Sequence, residues 1–370
     1  MQDRHLLKDI LKATRDVWDR PGTRPSVRKN FSAVLDCGTP ALGWEVYASD
    51  TEERRCYHRC KSRFCPSCGH RATLWWLEQQ EAALPDIPYS GVVFTMPREL
   101  WPIFQRNRRL LHDLPVLGAS VVGQWIKVKY GARVLIAVVP HTFGGDLKFN
   151  THLHILVSAG GWQESTGRWI PRLRLNRNAL MRMWRNAVID HLKRALKANV
   201  LKTDLSLPQV QRLLATAYYS AKHTRWNIFI SEIESKSHFL RYAARYVRRP
   251  PIAMWRLKKV DSKEVIFVAK DTKARKMFPT KRALSEFIRM LAAHVPDGYK
   301  HAIRYFGLLA PRAKNKTYSG LFLMLGQKRQ PRPVRLSWRD SLLKYFGVDP
   351  LLDGRGQEMR WVRREKPVLA

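Results

Sequence analysis

Asn150-Thr151-His152-Leu153-His154-Ile155-Leu156-Val157 is an apolar run that carries two histidines two positions apart. Side chains on a strand alternate between faces, so His152 and His154 share one face and Leu153 points to the other. The two imidazoles then stand ~7 Å apart, close enough to converge on one divalent ion. Upstream, Arg133-Val134-Leu135-Ile136-Ala137-Val138-Val139 is apolar and β-branched, a second strand. Gly144-Gly145-Asp146 is a turn signal between them, and Gly160-Gly161 closes the pair as a β-hairpin. His141 lies near the end of the first strand, and the turn folds it back toward Asn150–His152 as a third ligand. A lone His-x-His is more often two polar residues on a half-exposed strand. The apolar, central character of this strand favours a metal site. Histidines with open positions suit Mg²⁺ or Mn²⁺ with phosphate, or Zn²⁺.

Around this hairpin the chain is strongly basic. Its 370 residues include 67 Lys+Arg against 30 Asp+Glu, a formal charge of +37. The length suits about two domains of roughly 150 residues. A hydrophobic fraction of 45% with 13 Trp excludes a disordered basic tail. No run approaches the ~18 apolar residues that span a bilayer, and the first residues lack the apolar core of a signal peptide. The expectation is a folded protein of the reducing cytoplasm, without a membrane, whose partner is nucleic acid.

Periodicity sketches the remaining elements. Leu6, Leu7, Ile10 and Leu11, then Val17 and Trp18, read as a basic helical arm broken by Pro21 and Pro25. Tyr89–Thr95 reads as a strand, and Arg98 to about Lys129 as a helix. Residues 172–223 read as two helices with Leu207-Pro208 between them. Asn227–Ile230 and Glu264–Ala269 read as strands, and Ser237–Val247 and Thr280–Ala293 as helices. From Gln327 a basic, turn-rich tail carries one short helix, Trp338–Phe346.

All five cysteines, Cys37, Cys56, Cys60, Cys65 and Cys68, lie within 32 positions. Cys65-Pro66-Ser67-Cys68 is a Cys-x-x-Cys knuckle that lets two thiolates reach one tetrahedral Zn²⁺ from a tight turn. Cys60 and Cys37 are the first choice for the other two ligands, with Cys56, His58 and His70 as competitors. The bland alternative, free buried thiols or a redox pair, fits poorly with such clustering. Arg63 and neighbouring cations suit a zinc module lying on a phosphate backbone, although a solvated face has the same composition.

Arg241-Tyr242-Ala243-Ala244-Arg245-Tyr246-Val247-Arg248-Arg249 places two tyrosines at i and i+4, one turn apart on a helix. Arg241, Arg245, Arg248 and Arg249 surround the hydroxyls with phosphate-binding cations. A phenol with a pKa of ~10 is a weak nucleophile, but it can attack a phosphodiester when cations stabilise the developing charge. Taken alone, Tyr-x-x-x-Tyr is more often a pair of core or stacking aromatics.

The order Cys cluster, His-Leu-His, Tyr-x-x-x-Tyr resembles the HUH rolling-circle transposases of bacterial insertion sequences, the type with two catalytic tyrosines. The resemblance covers roughly residues 30–350. It includes Phe94-Thr95-Met96-Pro97, His141-Thr142-Phe143-Gly144, Arg248-Arg249-Pro250-Pro251-Ile252-Ala253, His294-Val295-Pro296-Asp297-Gly298-Tyr299 and Ile303-Arg304-Tyr305-Phe306-Gly307-Leu308-Leu309. Two departures stand out. Many relatives carry a further Cys-x-x-Cys where this chain has Ala48-Ser49-Asp50-Thr51-Glu52-Glu53. Many also carry one after Phe346-Gly347-Val348-Asp349-Pro350-Leu351, where Asp353 and Gly356 stand here.

The resemblance implies an α+β fold: an HUH-endonuclease-like central antiparallel sheet flanked by helices, preceded by a small zinc-binding domain. The expected division is a basic helical arm (1–28), a zinc-binding DNA-binding domain (29–84), a catalytic domain with a helical insertion (88–326) and a basic tail (327–370). It further implies structural Zn²⁺, catalytic Mg²⁺ or Mn²⁺, nucleophiles Tyr242 and Tyr246, and single-stranded element ends and target DNA as substrates. A bacterial, nucleoid-associated location follows. No Gly-x-x-x-x-Gly-Lys-Ser/Thr is present, so unwinding falls to a host helicase or replication factor. Two other readings stay open: a plasmid replication initiator or relaxase with the same chemistry, and a non-catalytic zinc-dependent DNA-binding regulator.

Overall fold

The computed structural model describes residues 5–219, 226–247, 250–271, 276–298 and 300–367. Helices α1 (Leu6–Ala13), α2 (Arg15–Trp18) and α3 (Pro25–Asp36) open the chain. Pro25 does not break a helix, as its position suggested, but starts α3. The first helical residue needs no N–H partner, so proline is tolerated there. Strands β1 (Trp44–Ala48) and β2 (Glu53–Tyr57) form a hairpin, and α4 (Pro66–Ala83) leaves directly from the Cys-x-x-Cys knuckle.

After β3 (Tyr89–Phe94), the single helix expected to Lys129 is two, α5 (Trp101–Arg106) and α6 (Arg108–Tyr130). Asn107 separates them, its amide spent on Ile103 O at 2.9 Å and Lys202 O at 2.7 Å. Next come β4 (Ala132–Arg133), β5 (Leu135–Phe143), β6 (Phe149–Ser158), β7 (Gly161–Gln163) and β8 (Arg168–Ile170). They are followed by α7 (Arg177–Lys197), α8 (Leu207–Tyr219), β9 (Ile228–Ile233) and α9 (Lys236–Ala244). Strands β10 (Leu257–Val260), β11 (Glu264–Asp271) and β12 (Lys276–Ala283) precede α10 (Leu284–His294). The helix expected from Thr280 therefore starts four residues later, because Thr280 pairs with Phe267 across the β11–β12 ladder. The chain ends through β13 (Arg304–Gly307), α11 (Pro311–Met324), α12 (Trp338–Phe346) and β14 (Arg360–Glu365).

The fold is α+β. Its five-stranded sheet runs β13-β5-β6-β3-β9, antiparallel throughout. The alternation of the hairpin gives this sheet two buried faces. Ile136, Val138, Leu153, Ile155 and Val157 join a core with residues of α6, α7 and α8. Leu135, Ala137, Val139 and Leu156 join a core with Trp76 of α4 and Phe239, Leu240 and Ala243 of α9. A third core joins Leu7, Ile10 and Leu11 of α1 with Cys37, Phe64, Cys65, Phe267 and Phe287. The N-terminal helices thus pack on the cysteine segment and on the β10–β12 sheet.

The tail adds a strand that its charged sequence did not suggest: β14 pairs antiparallel with β1 and completes the sheet β14-β1-β2. It is tied down by Asp353, whose Oδ2 accepts from Ser49 Oγ at 2.7 Å and Thr51 Oγ1 at 2.8 Å. The two segments that depart from the resemblance are therefore neighbours in space. Among the described residues, no helix is long and apolar enough to cross a membrane.

Candidate metal and tyrosine sites

The hairpin register decides which histidines meet. His141 pairs directly with His152, and Val139 with His154, so all three imidazoles emerge from one sheet face. One ring nitrogen of each lies within 4.8 Å of the others, close enough to hold one ion. His141 Nε2 donates to the Tyr246 carbonyl at 2.8 Å, and His152 Nδ1 donates to the Asn150 carbonyl at 2.8 Å. Each ring keeps its other nitrogen for a ligand, the arrangement that orients metal-binding imidazoles. His154 Nδ1 is buried with no hydrogen-bond partner among the described residues. Burial, then the neighbouring His152, pushes His141 down to about 3. Burial likewise lowers His152 and His154. Three neutral imidazoles around an orphaned nitrogen are a donor set that fits a divalent ion.

Both tyrosines reach this face from α9. The helix was expected to run to Val247 but ends at Ala244. Arg245 N bonds to Tyr242 O at 3.1 Å and Tyr246 N to Ala243 O at 2.9 Å, tightening the last turn. Tyr246 therefore sits in the turn after the helix. Its ring stacks on His154 at 3.7 Å between centroids, and Tyr242 meets it edge-on at 5.0 Å. Tyr242 lies over Gly91 of β3, where an added Cβ would come within 2.7 Å of the ring. Burial, reinforced by Tyr246, raises the Tyr242 phenol above its ordinary range, while Arg245 beside it pulls the other way. Arg245 lies 5.9 Å from the Tyr242 ring centroid, and Arg241 is exposed. Arg248 and Arg249 lie outside the described residues.

The cysteine segment forms a second cluster. Cys37, Cys60, Cys65 and Cys68 bring their sulfurs within 4.8 Å of one another. Cys37 Sγ is 3.7 Å from both Cys65 Sγ and Cys68 Sγ, and Cys60 Sγ is 3.8 Å from Cys68 Sγ. A regular tetrahedron with Zn–S bonds of ~2.3 Å has edges of about 3.8 Å, so the donor set fits a structural Zn²⁺. Hydrogen bonds from Cys60, Cys65 and Cys68 hold Cys37 down toward the thiolate. Cys56, His58 and His70 stand apart. Cys56 lies in β2 opposite Glu45, and burial raises its thiol. His58 contacts the Leu42 carbonyl and Glu45. The His70 ring lies 5.9 Å from that of Phe346.

Residues 136–317 match the family model described as "Putative transposase", and residues 9–96 the model described as "Transposase zinc-binding domain". The chain is 30% identical over 314 residues to "Putative transposase y4qJ" of Sinorhizobium fredii, covering 81% of this chain and 78% of the relative. It is 29% identical over 360 residues to "Transposase for insertion sequence element IS801" of Pseudomonas savastanoi pv. phaseolicola, covering 93% of this chain and 86% of the relative. The chain belongs to the IS91/IS801 family of transposases. No solved structure matches it.

The transposase links its two clusters through a contact that sequence reading missed. Thr73 of α4 shares its hydroxyl proton between the Gly69 carbonyl of its own helix at 3.0 Å and the Val247 carbonyl at 3.1 Å, the latter 174 residues away. The helix that begins at the Cys-x-x-Cys knuckle therefore holds the backbone just beyond Tyr246. Nothing in the local sequence marks Thr73. Gly91 left a signal: glycine inside an apolar strand marks a close approach.

Proposed function

We propose that this transposase nicks single-stranded DNA and transfers it through a 5′-phosphotyrosine, with Tyr242 and Tyr246 as nucleophiles and His141, His152 and His154 as ligands of a catalytic Mg²⁺ or Mn²⁺. The observation that carries this reading is the Tyr246–His154 stack, which sets a phenol beside the imidazoles where a scissile phosphate would bind. When bound there, the ion supplies positive charge that draws electrons from phosphorus.

The chain's own groups do the rest. A tyrosine Oη attacks phosphorus, and the bond from phosphorus to the 3′-oxygen breaks. The phenol gives up a proton and the departing 3′-oxygen gains one, so the step balances without an oxidant or a high-energy cofactor. The ester preserves the phosphodiester's energy, and the second tyrosine can act on a second strand. Tyr242, raised by burial, keeps its proton until Arg245 and the site's charge favour its loss. Arg63, Arg241, Arg245, Arg248 and Arg249 serve as phosphate contacts. The zinc-binding segment lies along DNA, a host helicase or replication factor supplies the unpaired strand, and the protein works on the nucleoid.

The test is incubation with end-labelled single strands from the element's ends plus Mg²⁺ or Mn²⁺. Wild type should give a covalent adduct stable to denaturant. A double Tyr242→Phe, Tyr246→Phe variant that still forms it would refute the nucleophile assignment. Tight binding without cutting would favour the regulator reading.

A further inference from the structure

A cavity of about 490 Å³ opens beside the histidines and shares His141 and Tyr246 with them. Its volume is that of a small-molecule site, roughly 300–1,000 Å³. The lining is of two kinds. Phe143 supplies a partly exposed ring beside the buried Phe64 and Pro251, and Arg63, Lys300 and Arg304 bring cations against one lining carboxylate, Asp113. Arg108 also lines the cavity but is spent on Asp297 and the Ala293 and Val295 carbonyls. One wall comes from the zinc cluster itself, because Arg63 and Phe64 occupy the loop between Cys60 and Cys65. That loop is held in place. Ser62 Oγ donates to Asn30 Oδ1 at 2.8 Å, and the Phe64 ring packs on Phe31 at 5.4 Å.

We infer that this cavity receives one unstacked base and its phosphate, the nucleotide flanking the scissile bond of single-stranded DNA, with the zinc loop as one side of the pocket. The inference rests on the proposed function and adds a subsite to it. Flat apolar walls suit a base plane, and the cations suit its phosphate. A base can enter such a recess only after leaving its stack, so a duplex is excluded while a single strand is accepted. The zinc site thereby contributes to substrate reading as well as to folding.

The experiment is an abasic scan. Single-stranded oligonucleotides, each lacking one base at successive positions around the cut, are measured for Kd by fluorescence anisotropy without added Mg²⁺ or Mn²⁺, and separately for adduct rate. One position next to the cut should weaken binding by about tenfold while its neighbours change little. Arg63→Ala and His301→Ala, His301 being an exposed residue that also lines the cavity, checked for unchanged thermal unfolding, should shrink that difference between intact and abasic strands at the same position. Equal Kd for every abasic strand would overturn the pocket, as would a position-specific loss that both variants leave intact. A position-specific loss in Kd without any adduct would instead retain the pocket and reject the cutting reaction.

Discussion

The ring of Tyr246 lies against the imidazole of His154, 3.7 Å between centroids and 21° from parallel. The same residue's carbonyl accepts from His141. One tyrosine thus buttresses two candidate ligands, and its ring and its hydroxyl can be separated by mutation. Tyr246→Phe keeps the stack, so stability should stay within about 0.5 kcal/mol while the hydroxyl's chemistry is lost. Tyr246→Ala removes the stack and should cost at least ~1 kcal/mol. Denaturant unfolding of both variants, beside adduct assays, checks the separation.

Gly91 controls the other tyrosine. A Cβ at this position would lie 2.7 Å from Tyr242 Cε1 and 3.0 Å from its hydroxyl oxygen. Gly91→Ala should therefore displace Tyr242 and cost about 1–3 kcal/mol through overpacking. It should slow any step that uses Tyr242 more than Tyr246→Phe slows that step. Adduct mapping on each tyrosine by mass spectrometry reads this out, and an unchanged Tyr242 share would count against it.

The cysteines divide four to one. Cys60→Ser or Cys65→Ser should lose bound zinc and expose the core shared by Phe31, Phe64 and α1, because the cluster's sulfurs close that core. Cys56→Ser should keep one zinc per chain and unfold within about 0.5 kcal/mol of wild type. Metal analysis with thermal unfolding distinguishes them.

Thr73 couples the clusters. Thr73→Val keeps the volume but removes the bond to Val247 O, at a cost of about 1 kcal/mol. The expected signature is a slower adduct rate with full zinc content. Unaltered cutting would mean that the turn is held by its other contacts.

His294 sets a pH dependence. It is buried, with Nε2 donating to Leu147 O at 2.8 Å and Nδ1 accepting from Thr142 Oγ1 at 3.2 Å. Burial pushes it down to about 4, against ~6.5 in an unfolded chain. Between those values the unfolded state binds more protons. Stability is therefore full above pH ~6.5 and falls as pH drops toward 4, by up to about 3 kcal/mol. His294→Gln should flatten the decline in denaturation midpoint between pH 7.5 and 5. Parallel curves for variant and wild type would assign the decline to other groups.

The hairpin was legible because two β-branched runs flank a Gly-Gly-Asp turn, and because period two alone sets His152 and His154 on one side. The cysteine spacing marked a zinc module, yet it left five sulfur candidates, since Cys56 sits as near in sequence as the others. Only the β1–β2 ladder takes Cys56 away, opposite Glu45. Strand β14 was hidden by its charge: Arg-Trp-Val-Arg-Arg-Glu is an exposed strand and buries little that a pattern could report. The end of α9 was hidden too, because Ala243 and Ala244 favour helix and the tightening of the last turn depends on packing.

Sequence alone therefore determined the element types around the hairpin, the face shared by the histidine pair, and the cysteine knuckle. These follow from local periodicity and turn chemistry, which act within a few residues. Tertiary structure decided which groups meet: His141 beside His152, Tyr246 on His154, Thr73 under the tyrosine turn, and the zinc loop along the cavity. Those contacts join residues far apart in the chain, and only register and packing bring them within bonding distance.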